Sequence, residues 1–172
     1  PAPKLIEAAA LDDAGPAKGD GALLAARFPG KVSAHAKSNA LVVDKGAWLE
    51  AARVLRDERG YDYLANVTSA DYQDAYEVVY HLYSSVRPGP ALSVKVRADK
   101  GSPEVPSVTP VWAGADFQER EVYDLMGVRF AGHPNLKRIL MWEGFEGHPL
   151  RRDWIEVEGL VKGYGGPPVL RG

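Results

Sequence analysis

The sequence predicts an α+β fold: a mainly antiparallel or mixed sheet covered by helices, with an irregular extended C-terminal arm. Three observations carry this prediction. From Tyr61 to Val96, apolar and polar residues alternate in three consecutive runs, the period-two pattern of half-buried strands. Between Asp44 and Gly60, Trp48, Ala52 and Leu55 recur at helical spacing and give one helix an apolar face. From Ala131 to Gly172, eight glycines and four prolines among 42 residues leave no period at all.

Taken in order, the chain divides into a flexible N-terminal segment (1–21), an α+β body (22–112) and a capped helix with an extended Gly/Pro-rich docking arm (113–172). Lys4–Leu11 suits a short helix, and Pro16, Gly19 and Gly21 mark a flexible joint after it. Ala22–Phe28 suits another helical turn or two, ended by Pro29-Gly30. Two short strands are expected over Lys31–Ala36 and Ala40–Val43, with Ser38-Asn39 as the turn between them. Asp44 then caps a helix running to about Arg59, where Gly60 stops it.

The three alternating runs follow, built on Tyr61, Tyr63 and Val67, on Tyr76 to Leu82, and on Leu92 to Val96. Asp71–Asp74 and Arg87–Pro90 are the turns between them, so an antiparallel meander is expected. Pro103, Pro106 and Pro110 make Gly101–Pro110 an extended connector and not a central strand. A helix then opens with Asp116 at the N-cap and Glu119 three residues later, the spacing of a capping box, and ends at Met126 before Gly127. The tail beyond it keeps Trp142, Phe145, Trp154 and Tyr164. A segment too irregular to build a core, yet supplied with apolar anchors, lies against something else, either the body or a partner.

Composition removes several function classes. A chain of 172 residues with 45% hydrophobic and 26% charged residues can bury a core as one domain. A net charge of -2 gives no electrostatic grip on nucleic acid. With no cysteine, a thiolate-held iron–sulfur cluster, a cysteine zinc site and a Cys nucleophile are ruled out for this sequence. The longest apolar run, Ala22–Ala26, is far short of a bilayer span. The acids Glu7, Asp12 and Asp13 argue against a signal or transit peptide, and Pro1 reads as a start left by removal of an initiator Met. Cytosolic or matrix-side residence is expected.

Three constellations could carry chemistry. Glu121 and Asp124, three apart on the predicted helix, suit a paired-carboxylate or divalent-ion site beside Glu119 and Arg120. Acids near a helix start are also favoured by the dipole alone, which favours a salt-bridged structural or interface role. His133 and His148 each precede a proline, fifteen residues apart in a loop, without the i,i+4 spacing of a metalloprotease helix. Hydrogen bonds that fix the loop explain them better than a metal. Lys137, Arg138, Arg151 and Arg152 are nearly balanced by Glu143, Glu146 and Asp153 and sit among aromatics and prolines, as at a protein–protein interface or on a solvated surface. Gly163–Gly166 precedes prolines and no helix, so it is no phosphate cradle.

The stretch GADFQEREVYDLMGVRFAGHPNLKRILMWEGFEGHPLRRDW, Gly114–Trp154, closely resembles the signature region of the 30 kDa subunit of respiratory complex I, the bacterial, cyanobacterial and plastid versions included. Glu119-Arg120-Glu121, Tyr123-Asp124, Gly127, Gly132-His133-Pro134, Leu136–Leu140 and Pro149–Trp154 match the family's pattern, while Met126 stands where relatives often have an aromatic residue. The resemblance implies a non-catalytic structural subunit of the peripheral arm of a proton-pumping NADH:quinone oxidoreductase, packed against the 49 kDa quinone-site subunit and close to cluster-bearing subunits. It implies no cofactor in this chain, with FMN and iron–sulfur clusters on other subunits and quinone as acceptor. Membrane association would come only through the complex, on the cytoplasmic, matrix or stromal side. The expected partner interface is Glu119, Arg120, Glu121, Asp124, His133, Arg138, Arg151, Arg152 and Asp153, with Trp142 and Trp154 as apolar anchors. The alternatives are the equivalent subunit of a membrane-bound hydrogenase or ferredoxin-dependent photosynthetic complex, and a stand-alone metal-dependent enzyme using Glu121, Asp124, His133 and His148.

Overall fold

The computed structural model describes residues 16–35, 38–87 and 89–152, so the predicted helix at Lys4–Leu11 and the residues Asp153, Trp154 and Tyr164 lie outside the described residues. Elements follow in the order α1 (Pro16–Arg27), β1 (Val32–Ala34), β2 (Ala40–Val43), α2 (Lys45–Asp57), β3 (Tyr63–Asp71), β4 (Ala75–Tyr83), β5 (Leu92–Asp99), β6 (Glu104–Pro106), α3 (Ala115–Met126) and β7 (Arg129–Ala131).

The expected meander is present. β3, β4 and β5 pair antiparallel in turn, and β1 pairs antiparallel with β2. β2 joins this sheet in parallel alongside β5, with Leu41 opposite Val94 and Val43 opposite Val96, so the sheet is mixed with order β1-β2-β5-β4-β3. The alternation read from the sequence sets its inner face, where Tyr76, Val78, Tyr80 and Leu82 of β4 lie beside Leu92, Val94, Val96 and Ala98 of β5. α2 covers that face with Trp48, Ala51, Ala52 and Leu55, all fully buried. Its N-terminus is capped as expected, with the Asp44 side chain accepting from Gly46 N at 3.0 Å. The Trp48 and Tyr80 rings meet at 4.5 Å in the middle of the core.

Two elements differ from the sequence prediction. α1 opens at Pro16 and not at Ala22, where a flexible joint was expected. Proline suits the first helical position, and Gly21 has a packing reason of its own. A Cβ on Gly21 would stand 2.7 Å from Leu41 Cδ2, so the glycine lets α1 approach β2 closely. Asp20, 2% exposed, accepts hydrogen bonds from Tyr61 Oη at 2.7 Å, Arg87 Nη2 at 3.2 Å and Arg59 Nε, fastening α1 to the end of α2 and to the β4–β5 loop. The second difference lies in the proline-rich connector. Residues 104–106 form β6, which pairs in parallel with β7 as a separate two-stranded ribbon. Proline is tolerated there because a two-stranded ribbon is all edge.

The core does not stop at the end of the meander. Val105, Val108, Val111, Trp112, Ala115, Val122, Met126, Val128 and Phe130 belong to the same buried cluster as the sheet and α2. Trp112 Nε1 donates to the Tyr61 carbonyl at 2.9 Å, tying the connector to the start of β3. α3 therefore sits on the body as part of one hydrophobic core, packed along β3. Gln118 of α3 accepts from Val67 N at 2.6 Å and so covers part of the open edge of β3.

Removing the carboxylate that fastens α1 tests this account. Asp20→Ala leaves two arginines and a tyrosine hydroxyl without their shared acceptor and should lower unfolding free energy by roughly 2–4 kcal/mol in urea denaturation. Arg53→Ala, which breaks the exposed pair of Arg53 with Glu50 at 2.6 Å, should change it by less than about 0.5 kcal/mol.

Candidate functional site

The acids of α3 are engaged within the chain more fully than their spacing suggested. The N-cap is Gly114, not Asp116, and no side chain closes the capping box. Glu119 is drawn inward instead, with no exposed surface, and accepts from Ser107 Oγ at 2.6 Å and Val108 N at 2.7 Å. It thereby anchors the segment after β6 to the helix. Burial pushes the Glu119 carboxyl up to about 7 against the opposing pull of these two hydrogen bonds, and Asp116 adds to the rise.

Asp124, also without exposed surface, holds the arm. Its Oδ2 accepts from the backbone N–H groups of Ile139, Leu140 and Met141 at 3.0, 2.8 and 2.9 Å. Arg138 Nε lies 3.6 Å from its Oδ1. Burial works against ionisation here, but the three N–H donors and Arg138 prevail and hold the Asp124 carboxyl below the usual range. Glu121, the other half of the predicted carboxylate pair, is exposed on the solvent side of α3 and does not join it. Residues three apart on a helix lie roughly 60° apart around the axis, enough to put one in the core and the other in water.

The end of α3 is closed by the arm. Every helix leaves its last carbonyls without intrahelical donors. Gly127, at φ 71°, donates to the Tyr123 carbonyl at 2.9 Å as a left-handed C-cap. The next three carbonyls are taken by the arm: Asp124 O by His148 Nδ1 at 2.9 Å, Leu125 O by Leu150 N at 3.0 Å, and Met126 O by Arg151 Nε at 2.9 Å. Because a carbonyl only accepts, the His148 proton sits on Nδ1. A Cβ on Gly127 would stand 2.3 Å from Arg151 Nη2 and 2.5 Å from the His148 ring, so space and backbone conformation both demand glycine there.

The other predicted site residues are absorbed into the same scaffold. Arg120, largely buried, donates from Nε to the Lys137 carbonyl at 3.0 Å and stacks 5.5 Å from the Phe117 ring. Arg138 Nη2 donates to the Gly147 carbonyl at 2.9 Å. His133 bridges the Asp116 carbonyl at 3.1 Å and the Asn135 N–H at 3.0 Å, so both histidines do fix the loop through hydrogen bonds. Arg151 also lies 5.2 Å from the Tyr76 ring. Arg152 is exposed, and its backbone N–H donates to Asp71 Oδ2 at 2.9 Å. Among the described residues, no group of three or more His, Asp or Glu is placed to hold a metal ion.

Beside exposed charges such as Glu121, Lys137 and Arg152, the same surface turns apolar side chains to solvent. Phe117, Leu140, Trp142 and Leu150 are each more than half exposed, and Trp142 meets Phe145 edge to face at 4.6 Å. The sequence pointed to Trp142 but not to Phe117, Leu140 or Leu150. Leu140 and Leu150 lie in a stretch with no periodic core face, and Phe117 falls on the solvent side of α3.

The family model for the 30 Kd subunit of respiratory-chain NADH dehydrogenase matches residues 41–158. The corresponding NADH-quinone oxidoreductase subunit of Moorella thermoacetica is 49% identical over 124 residues, covering 70% of this chain and 82% of that one. Its counterpart in a Roseiflexus species is 41% identical over 139 residues, covering 78% and 75%. The 30.4 kDa subunit of mitochondrial NADH-ubiquinone oxidoreductase from Neurospora crassa is 50% identical over 97 residues, covering 55% of this chain and 34% of that one. Among solved structures, a trypsin-resistant fragment (1-134) of Nqo5 superposes with a TM-score of 0.56 at 30% identity, covering 67% of this chain and 96% of the fragment. A chain of the membrane-bound sulfane sulfur reductase, an archaeal respiratory membrane complex, has a TM-score of 0.66 at 21% identity, covering 78% and 83%, a likeness of fold alone.

Two measurements test the scaffold. Asp124→Ala strands three N–H donors, and should cost roughly 2–4 kcal/mol of stability and accelerate hydrogen exchange at Ile139, Leu140 and Met141. Glu119 keeps its proton to about 7 in the folded chain, whereas unfolded it releases it near 4.5. The folded state thus binds more protons between those values, so this contribution is complete below 4.5 and is lost as pH rises through 7. The stability of the wild type relative to Glu119→Gln should therefore fall, by up to about 3 kcal/mol, between pH 5 and pH 8 in urea titrations.

Proposed function

The chain belongs to the family of the 30 kDa subunit of respiratory-chain NADH dehydrogenase, a subunit of a multi-protein enzyme complex, and from that membership we propose that it is a non-catalytic structural subunit of the peripheral arm. In this reading it packs against a 49 kDa-type quinone-site subunit, near cluster-bearing subunits, and supports electron transfer from NADH to quinone without a redox step of its own. FMN and iron–sulfur clusters reside on its partners, a division of labour supported by the absence of cysteine from this sequence. No described helix is long and apolar enough to cross a membrane, so its place at the membrane depends on the rest of the assembly.

One observation carries the docking role. Backbone N–H groups of Ile139, Leu140, Met141 and Leu150 and the His148 and Arg151 side chains are engaged with α3, while the Phe117, Leu140, Trp142 and Leu150 side chains stay exposed. A backbone held this firmly loses little further entropy when it binds, and exposed aromatic and leucine side chains on a fixed backbone give it apolar area to bury against a neighbour. The residues that the sequence assigns to charged contacts with the partner act one step back. Arg120, Asp124, His133, Arg138 and Arg151 shape the surface, and Glu121, Trp142 and Arg152 remain available to touch the neighbour. The division into a body (22–112) and a docking arm (113–172) is part of the same proposal, with α3 joining the two.

Nothing in this chain selects the electron donor. The equivalent subunit of a membrane-bound hydrogenase or a ferredoxin-dependent complex would use the same surface, and the partners recovered with the chain distinguish these cases. Purified in mild detergent from its native membrane, the chain should bring with it a 49 kDa-type and cluster-bearing subunits. Trp142→Ala should reduce the amount of assembled complex about tenfold or more, the loss expected of an interface anchor, with turnover per assembled complex unchanged. Equal assembly with slower turnover would contradict the structural role.

A further inference from the structure

The arm holds on to α3 by three links at its distal end, and they differ in how they respond to protons. Leu150 contributes a backbone N–H, which does not titrate. Arg151 contributes a guanidinium, which stays charged at any ordinary pH. His148 contributes an imidazole, the one group of the three whose charge changes between pH 5 and pH 8. We propose that His148 is a proton-sensitive latch: neutral, it holds residues 148–151 on the end of α3, and protonated, it lets them go.

The surroundings of the ring supply the reason. A cation at a helix C-terminus is ordinarily welcome, because the dipole presents partial negative charge there. Here Arg151 already occupies that position, on the Met126 carbonyl. From the arm, Arg138 and Arg151 face the imidazole; from α3, Asp124 offers a carboxylate that is committed to three N–H groups. On the β4 side, Tyr76 lies beneath Arg151 and brings no charge. The ring is also half-buried, with Nε2 turned to Gly127 next to the Arg151 guanidinium. A third positive charge would enter a confined space that already holds two cations and one anion, whose Oδ2 is taken by three N–H groups and whose Oδ1 lies 3.6 Å from Arg138 Nε. Burial, then Arg151 and Arg138, lower the His148 pKa below its ordinary value, against the pull of the Asp124 carbonyl and carboxylate. A released arm regains the ordinary value near 6.5, so the released state binds the proton more tightly. Arm attachment therefore weakens as pH falls through 6.5 and is complete above it. The latch concerns the hold of the arm on its own chain and stands apart from the docking proposal.

The test uses the full chain and hydrogen exchange corrected for intrinsic rates, followed at the Leu150 amide, with the His148 ring titrated in parallel by NMR. Protection at Leu150 should fall severalfold between pH 7.5 and 5.5, by no more than about tenfold per pH unit for a single proton. The fall should set in near 6.5, the value of the released imidazole, and level off once pH drops below the midpoint of the attached His148 ring. His148→Asn, whose amide reproduces the Nδ1 donor without a titrating group, should keep protection flat across the same range. Unchanged protection in the wild type, a loss that continues at the same slope well below the ring midpoint, or the same loss in His148→Asn would each overturn the latch. Should His148→Asn fail to hold the arm at all, the wild-type window decides by itself: protection must fall between 6.5 and the ring midpoint and level off below it.

Discussion

The last turn of α3 and the irregular arm satisfy each other, and the rest of the site depends on that exchange. A helix ending inside a packed surface leaves carbonyls in need of donors, and an arm with no sheet or helix of its own has N–H groups in need of acceptors. Either alone would strand polar groups at a cost of one to a few kcal/mol each, on the order of a sizeable part of a small domain's stability. Placed together, the Asp124, Leu125 and Met126 carbonyls receive His148, Leu150 and Arg151, and the Asp124 carboxylate receives Ile139, Leu140 and Met141. Gly127 makes the exchange possible because any side chain there would occupy the space of the His148 ring and the Arg151 guanidinium.

This division of labour explains how a glycine-rich segment can present a defined surface. The described arm is ordered by hydrogen bonds to a helix that is itself fixed by burial of Ala115, Val122 and Met126 in the common core. Glu119 does for the segment before the helix what Asp124 does for the segment after it, binding Ser107 and Val108. Two buried acids five residues apart thus bind chain on either side of α3. They end with opposite ionisation tendencies because Asp124 gathers three N–H donors and an arginine, whereas Glu119 has two donors and deeper desolvation.

A scaffold of this kind suits a subunit of a larger assembly. The charges that a sequence reading would assign to a partner are mostly satisfied within the chain, and the surface they shape exposes Phe117, Leu140, Trp142 and Leu150 beside Glu121 and Arg152. Such a surface gains from burial against a neighbour and needs little rearrangement to do so. Family membership supplies the setting, a multi-subunit NADH-quinone oxidoreductase, and the geometry supplies a defined surface for use within it.

Period and punctuation were enough to read the meander, the amphipathic α2 with its Asp44 cap, and the stop at Gly127, because these features are set by neighbours in sequence. The family was legible too, from the run of matches between Gly114 and Trp154. The capping box was misread because Asp116 and Glu119 have the right spacing, yet Ser107 and Val108, close only in the folded chain, draw Glu119 inward. The early start of α1 depended likewise on Asp20 meeting Arg59, Tyr61 and Arg87 across the fold. The parallel seat of β2 beside β5, and the roles of Asp124, His148 and Arg151 as fasteners of the arm, were also decided by tertiary structure. Local chemistry determines which residues can cap, turn or alternate, but which donor meets which acceptor across tens of residues depends on where the core brings the chain back.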